Sequence, residues 1–322
     1  MIPEERLVEV HRLAVLGGEA DIARDVGARL TTGLLDLSRY RDVVSVSRAT
    51  LNLGDDAHAL NSLGLATRIL GDPWTALSHY QHALSIVRDV GDRNGEATTL
   101  NNIGIVYRRL GQPDQALTHH QQALPIVRDV GDRSGEAATL NNIGSVYYEL
   151  GQPDHALTYF QKALAIRKEV GDRHGEATTL NNIGGVYHGL GQPDQALTYY
   201  QQALPIVRDV GDRSGEATTL NNIGLVYYAL GQPDQALSYY QQALPILRDV
   251  GDRRGEAVTR FNIALIHRQS GRLAEAVTEL ETLVELDRVT QHPDLESHLA
   301  LLDDVHRELE ESQSPREPDE AE

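Results

Sequence analysis

Between residues 133 and 170 the apolar and small residues recur every three or four positions in two stretches, the pattern of helices that bury one face. In the first stretch Ala138, Asn141, Ile143 or Gly144, and Tyr147 share a helical side, and the pattern stops at Leu150-Gly151. Gly151 stands where a helix needs a left-handed exit. Pro153 suits the first turn of a following helix, and Asp154 places negative charge near its amino end. In the second stretch Ala156, Tyr159 or Phe160, Ala163, Leu164 and Ile166 form one broad side. That helix ends before Gly171-Asp172-Arg173, which reads as a compact polar turn. Apolar alternation with period two is absent, so no strand is expected anywhere in the chain.

The pair recurs. GEATTLNNIG begins at Gly95, Gly175 and Gly215, GEAATLNNIG at Gly135, and GQPD at Gly111, Gly151, Gly191 and Gly231, all with a spacing of 40 residues. The array is expected over residues 56–290, as about six repeats starting near 56, 95, 135, 175, 215 and 255. Residues 19–55 read as a degenerate first repeat with a shortened second helix, and residues 1–18 hold an amino-terminal helix. Residues 291–311 read as a capping helix with Leu295, Leu299, Leu302, Val305 and Leu309 on one side. Residues 312–322 are charged, proline-containing and expected to be disordered. Helices of about fifteen residues are marginal alone, so each pair must be covered by its neighbours.

Two features break helix rules at fixed places. Gly104, Gly144, Gly184 and Gly224 fall mid-helix, each at a cost of roughly 1 kcal/mol against alanine. Their shared register predicts a close helix contact, with the paired alanines of the second helix as the expected receivers. Pro125, Pro205 and Pro245 fall inside the second helix, where a gentle bend is expected rather than a break.

The series Ile103-Gly104…Tyr107, Ile143-Gly144…Tyr147, Ile183-Gly184…Tyr187 and Ile223-Gly224…Tyr227 resembles the core of the tetratricopeptide repeat family. So do the second-helix pairs Ala116 and Ala123, Ala156 and Ala163, Ala196 and Ala203, and Ala236 and Ala243. Leu100, Leu140, Leu180 and Leu220 replace the family's usual tryptophan, and the repeat is 40 residues long where 34 is usual. The longer form is similar to the kinesin light chain type and to bacterial arrays beside nucleotide-binding regulatory domains. The resemblance implies an all-α, right-handed α-solenoid (superhelix) of stacked antiparallel helix pairs. It also implies a concave groove lined by the first helices.

On those helices two asparagine ladders stand out. One is Asn61, Asn101, Asn141, Asn181 and Asn221; the other is Asn102, Asn142, Asn182, Asn222 and Asn262. Asparagine is a mediocre helix former, and its carboxamide both donates and accepts. In peptide-binding members of the resembling family, asparagine at these positions holds the backbone of an extended peptide. The alternative is that one ladder ties adjacent repeats together. Four positions change between otherwise similar repeats: Ile105, Ser145, Gly185 and Leu225; Arg108, Tyr148, His188 and Tyr228; Arg109, Glu149, Gly189 and Ala229; Asn94, Ser134, His174 and Ser214. The first two series are expected near the groove, giving it a basic end at Arg108 and aromatic anchors at Tyr148, His188 and Tyr228.

Composition narrows the partners. With 47 acidic and 29 basic residues the chain carries a formal charge of -18, which disfavours nucleic acid and anionic membrane. There is no cysteine and no run of about 18 apolar residues. The first ten residues contain three glutamates, unlike a secretory signal, and a cytoplasmic location is expected. No nucleotide-loop or metalloprotease motif is present. His119-His120 reads as packing or surface, and Asp132 and Arg133 could pair locally. No cofactor, metal or catalytic role is expected. The leading function is a scaffold for a protein or extended peptide. The alternatives are a ligand- or peptide-sensing component of a bacterial signalling or transcription-regulatory system, and a self-associating structural protein.

Overall fold

The computed structural model describes residues 4–313; residues 314–322 of the expected acidic tail lie outside the described residues. The chain divides into two compact halves, Met1–Asp172 and Arg173–Glu322, and the regular structure of both is helical. The first half holds α1 (Glu4–Gly17), α2 (Ala20–Asp36), α3 (Tyr40–Leu51), α4 (Ala57–Ile69), α5 (Pro73–Asp89), α6 (Arg93–Arg109), α7 (Pro113–Asp129), α8 (Arg133–Glu149) and α9 (Pro153–Val170). The second holds α10 (Arg173–Gly189), α11 (Pro193–Asp209), α12 (Arg213–Ala229), α13 (Pro233–Asp249), α14 (Arg253–Gln269), α15 (Leu273–Thr290) and α16 (Leu295–Gln313). Within each half, successive helices pack as stacked antiparallel pairs.

The turns between repeats are built by their own side chains. Gly91 leaves α5 at φ 73°, and Asp92 then caps α6 by accepting the Gly95 N–H at 2.9 Å. Glu96 on the first turn of α6 accepts from Arg88 at 2.9 Å and also pairs with Arg93. The same clamp joins Arg128 and Arg133 to Glu136. Burial alone would raise the Glu136 carboxyl, and the two guanidinium groups outweigh burial and hold it below its ordinary value. Arg133 therefore pairs with Glu136 and Glu169, while Asp132 caps the Gly135 amide. The local Asp132–Arg133 pair that the sequence allows does not form.

Within each half, a first helix that has second helices on both sides is sandwiched between them. On α6, Ile103 and Val106 pack against Ala76, Leu77 and Tyr80, while Ala97 and Leu100 pack against Ala123, Ile126 and Val127. Burying one such leucine or isoleucine contributes about 1.5–3 kcal/mol. In α8 the buried stripe runs through Ala137, Leu140 and Gly144, and Ala138, placed on that side by spacing, is exposed. The mid-helix glycines do face a close contact, but its receiver is an aromatic ring. A Cβ on Gly144 would meet the Phe160 ring at 2.8 Å, one on Gly224 the Tyr240 ring at 2.7 Å, and one on Gly104 the His120 ring at 2.6 Å. The second-helix alanines fill the core elsewhere.

Pro125, Pro205 and Pro245 sit on exposed positions of helices that continue through them. First helices of successive repeats touch one another, α4 with α6, α6 with α8 and α10 with α12. α1 packs on α2, and α16 packs on α15 through Val305 with Leu301, Leu302 and Leu309 around it. No helix among the described residues is long and apolar enough to cross a membrane.

Candidate functional site: the open face of the first helices

With one face of α6 buried, steps of three or four residues select what remains open. Asn94, Thr98, Asn102, Ile105 and Arg109 form that stripe, and each is at least partly exposed. The equivalent stripes are Ser134, Ala138, Asn142, Ser145 and Glu149 on α8; His174, Thr178, Asn182, Gly185 and Gly189 on α10; and Ser214, Thr218, Asn222, Leu225 and Ala229 on α12. On each of these helices, three of the four variable positions thus share a stripe with the asparagine of the second ladder. The fourth, Arg108, Tyr148, His188 and Tyr228, borders it.

The two ladders occupy different surroundings. Asn61 donates to Thr99 at 3.0 Å, Asn101 to Thr139 at 2.8 Å and Asn181 to Thr219 at 2.9 Å, while Thr259 donates to Asn221 at 3.0 Å. Each bond joins a first helix to the next one, and the threonines are fully buried. Asn141, in the same series, is itself buried. Asn101 also accepts from His120 Nδ1 at 2.9 Å. Asn102, Asn142 and Asn222 are half-buried, and their carboxamides form no hydrogen bond among the described residues. Asn182 is half-buried as well.

Clefts open where adjacent first helices diverge beside this ladder. One of about 300 Å³ lies between α4 and α6, lined by His58, Asn61, Ser62, Asp92, Thr98 and Asn102 among others. Its counterpart of about 340 Å³ lies between α12 and α14, lined by Thr218, Asn221, Asn222, Asp252, Arg254 and Val258. Sequence reading met this position only through Ala138, which spacing placed on the buried side; in the structure Thr98 lines the first cleft and Thr218 and Val258 line the second. A third cleft, of about 510 Å³, sits at the turn end between Tyr228, Gly231, Pro233, Gln269 and Ser270.

Arg108 Nη1 pairs with Glu149 Oε1 at 3.2 Å, so its charge is balanced by the next repeat. Arg109 is held below its ordinary value by burial and by the nearby cations Arg68 and Arg108. Tyr148 is 42% exposed, and the Tyr228 hydroxyl accepts from Gln269 at 2.6 Å. His188 is half-buried. Tyr147, Tyr187 and Tyr227 stack on Tyr159, Tyr199 and Tyr239 at 5.3–5.4 Å. His120 is fully buried in the socket that Phe160 and Tyr240 fill in other repeats. Burial and then the neighbouring Arg108 push it down to about 3. Among the described residues no group of three or more histidine, aspartate or glutamate side chains could hold a metal ion.

A family model described as tetratricopeptide repeat matches residues 48–129, 135–209 and 215–288. The chain belongs to the tetratricopeptide repeat family. No curated protein matches it. Among solved structures, this tetratricopeptide chain is similar to a signal transduction ATPase with numerous domains and a tetratricopeptide repeat sensor, from Pyrococcus horikoshii. The TM-score is 0.72 at 16% identity, over 89% of this chain and 44% of that one. It is also similar to the apo form of the quorum sensor NprR from B. thuringiensis, with TM-score 0.71 at 16% identity, over 88% of this chain and 81% of that one. A third is a Rap protein complexed with Competence and Sporulation Factor, with TM-score 0.62 at 17% identity, over 97% of this chain and all of that one. At these identities the likeness is one of fold.

Proposed function

We propose that the chain is a protein- or peptide-binding scaffold that uses the open stripes of its first helices, within each half, to hold extended segments of its partner. Tetratricopeptide proteins generally act as scaffolds for interaction and signalling, and this reading applies that role to a particular face. The observation that carries it is the split between the ladders. One asparagine series is bonded between repeats, whereas Asn102, Asn142 and Asn222 offer unbonded carboxamides beside positions that vary from repeat to repeat. A carboxamide row can donate to and accept from a peptide backbone, and the variable neighbours can read its side chains. The formal charge of -18 argues against direct nucleic-acid or anionic-membrane binding.

The test is affinity capture from lysate of the source organism with the intact chain and with N102A/N142A/N222A. The triple variant is expected to stay folded, because no internal bond is removed, and to lose the partner. Equal capture by both would move the contact to another surface.

A narrower reading is that the array senses a peptide for a separate regulatory protein. Its support lies in two similar structures, one described as an ATPase with a tetratricopeptide repeat sensor and one as a Rap protein bound to Competence and Sporulation Factor. The 40-residue period, similar to arrays of the kinesin light chain type and of bacterial regulators, agrees with it. A captured protein that carries its own nucleotide-binding or DNA-binding region would favour this reading over a plain scaffold.

A further inference from the structure

Near the carboxyl ends of α6 and α12, one residue meets a residue of the next first helix 41 positions later. Arg108 meets Glu149 as an ion pair at 3.2 Å, and Tyr228 meets Gln269 as a hydrogen bond at 2.6 Å. At the same register in the repeat before, the two residues are Arg68 and Arg109. Here the junction is repulsive: Arg109 feels burial, Arg68 and Arg108, and no carboxylate offsets them. Neither Arg68 nor Arg109 has an ion-pair partner among the described residues, and the single Glu149 serves Arg108. The one carboxylate of the α4–α5 turn, Asp72, is committed to capping, accepting the Thr75 N–H at 3.0 Å. A cation at a helix carboxyl end is favourable by itself, which accounts for one arginine on each helix. It does not account for two of them set opposite one another.

The surroundings add an apolar component. The cleft lined by Tyr228, Gly231, Pro233, Gln269 and Ser270 corresponds, in this repeat, to Arg68, Gly71, Pro73, Arg109 and Leu110. Beside Pro73 stands Trp74, 60% exposed, and Leu70 on the same turn is 50% exposed. Later repeats place Asp114, Asp154, Asp194 and Asp234 where Trp74 stands. This repeat therefore exchanges a carboxylate for an aromatic surface at the place where arginines lack a counter-charge.

We propose that this junction is a subsite for an acidic peptide segment, whose carboxylates bridge Arg68 and Arg109 while a neighbouring apolar side chain lies on Leu70 and Trp74. Charge complementarity selects this occupant. A chain with formal charge -18 repels an acidic peptide over most of its surface and admits it here, which fixes where along the open stripe such a ligand begins. The inference rests on the reading of that stripe as a peptide-binding face.

The experiment titrates the full chain with a capped hexapeptide alternating glutamate and leucine, and with the same peptide carrying glutamine. Binding is followed by calorimetry and by the fluorescence of Trp74, the one tryptophan of the chain. The glutamate peptide is expected to bind and to weaken as salt rises. R109E is expected to lose about tenfold or more in affinity, because charge-assisted bonds to the carboxylates are gone. It is also expected to melt no lower than the parent, since Glu149 occupies that position in the next repeat. Equal binding of the glutamine peptide, unchanged binding to R109E, or no binding of the glutamate peptide would each overturn the subsite. Inorganic phosphate that displaces the peptide at equal concentration would reduce it to a simple anion trap. Partner capture that still depends on Asn102, Asn142 and Asn222, with no glutamate-peptide binding, would overturn this inference alone and leave the scaffold reading standing.

Discussion

On α10, Gly184 and Gly185 are adjacent in sequence and belong to different regions. A Cβ on Gly184 would stand 2.7 Å from the Tyr200 ring, whereas one on Gly185 would meet only the Tyr200 hydroxyl, at 3.7 Å. Gly184 lies on the stacking side, where Ala177, Leu180 and Ile183 recur as Ala217, Leu220 and Ile223 one repeat later. Gly185 lies on the open side, where its counterparts are Ile105, Ser145 and Leu225. The same contrast separates His120 from His119, and Asn101 from Asn102. Near-identity between repeats therefore has a physical origin on the stacking side, where each residue must fit two neighbouring helices. Variation on the open side meets no such constraint from the fold.

Three neighbouring pairs allow that contrast to be broken. The largest effect is expected at His120. Its folded value near 3 lies below the roughly 6.5 of an unfolded histidine. The unfolded chain therefore binds the proton more readily, and stability is full above about pH 6.5 and declines as pH falls toward about 3. Between pH 6.5 and pH 5 the loss is about 2 kcal/mol. H120Y, which imports the residue found at Tyr200 and Tyr240, should abolish that part of the acid sensitivity, and H119Y should leave it in place. Denaturant melts across the pH range read the difference, and identical pH profiles for parent and H120Y would contradict it.

Next comes the glycine pair. G184A is expected to cost about 1–3 kcal/mol by overpacking against Tyr200. G185A is expected to stabilise by up to about 1 kcal/mol through helix propensity. Equal losses at both positions would erase the distinction between the faces. Smallest is the asparagine pair. N101A removes the donor to Thr139, whose hydroxyl still donates to the Gly135 carbonyl, and strands the His120 Nδ1–H, so it should cost about 1–2 kcal/mol. N102A removes no internal bond and should stay within about 0.5 kcal/mol of the parent.

Much of the stacking side was legible in the chain itself. Gly-Asp-Arg and Gly-Gln-Pro punctuate the four near-identical repeats, and in the first of these the helices begin at Arg93 and Pro113, with Asp92 capping the former. The receiver of the mid-helix glycine was not legible. Spacing tells which residues share a face of one helix, and it does not tell which residue of the opposing helix they meet. Alanines were expected there, and Phe160, Tyr200 and Tyr240 fill the place. Nor does spacing within a helix pair Arg108 with Glu149, which lie 41 positions apart.

The different bonding of the two ladders did leave a sequence trace. Asn61, Asn101, Asn181 and Asn221 each have a threonine 38 residues later, at Thr99, Thr139, Thr219 and Thr259. At the next repeat Phe261 replaces the asparagine, and Leu299 stands where the threonine would be. The donor disappears together with its acceptor, as a bond between repeats requires. Asn262 persists in the second ladder although Asn221 has no further counterpart, so that ladder follows another rule.

The claim that the open stripe is the contact surface is tested most directly by site-specific photo-crosslinking. One photoreactive residue would replace Ala138 on the stripe of α8, and another, in a separate variant, would replace Gln121 on the exposed side of α7. In lysate the variant at position 138 should yield a discrete adduct that N102A/N142A/N222A abolishes, and the variant at 121 should yield none. A discrete adduct from position 121 with none from position 138 would contradict the account.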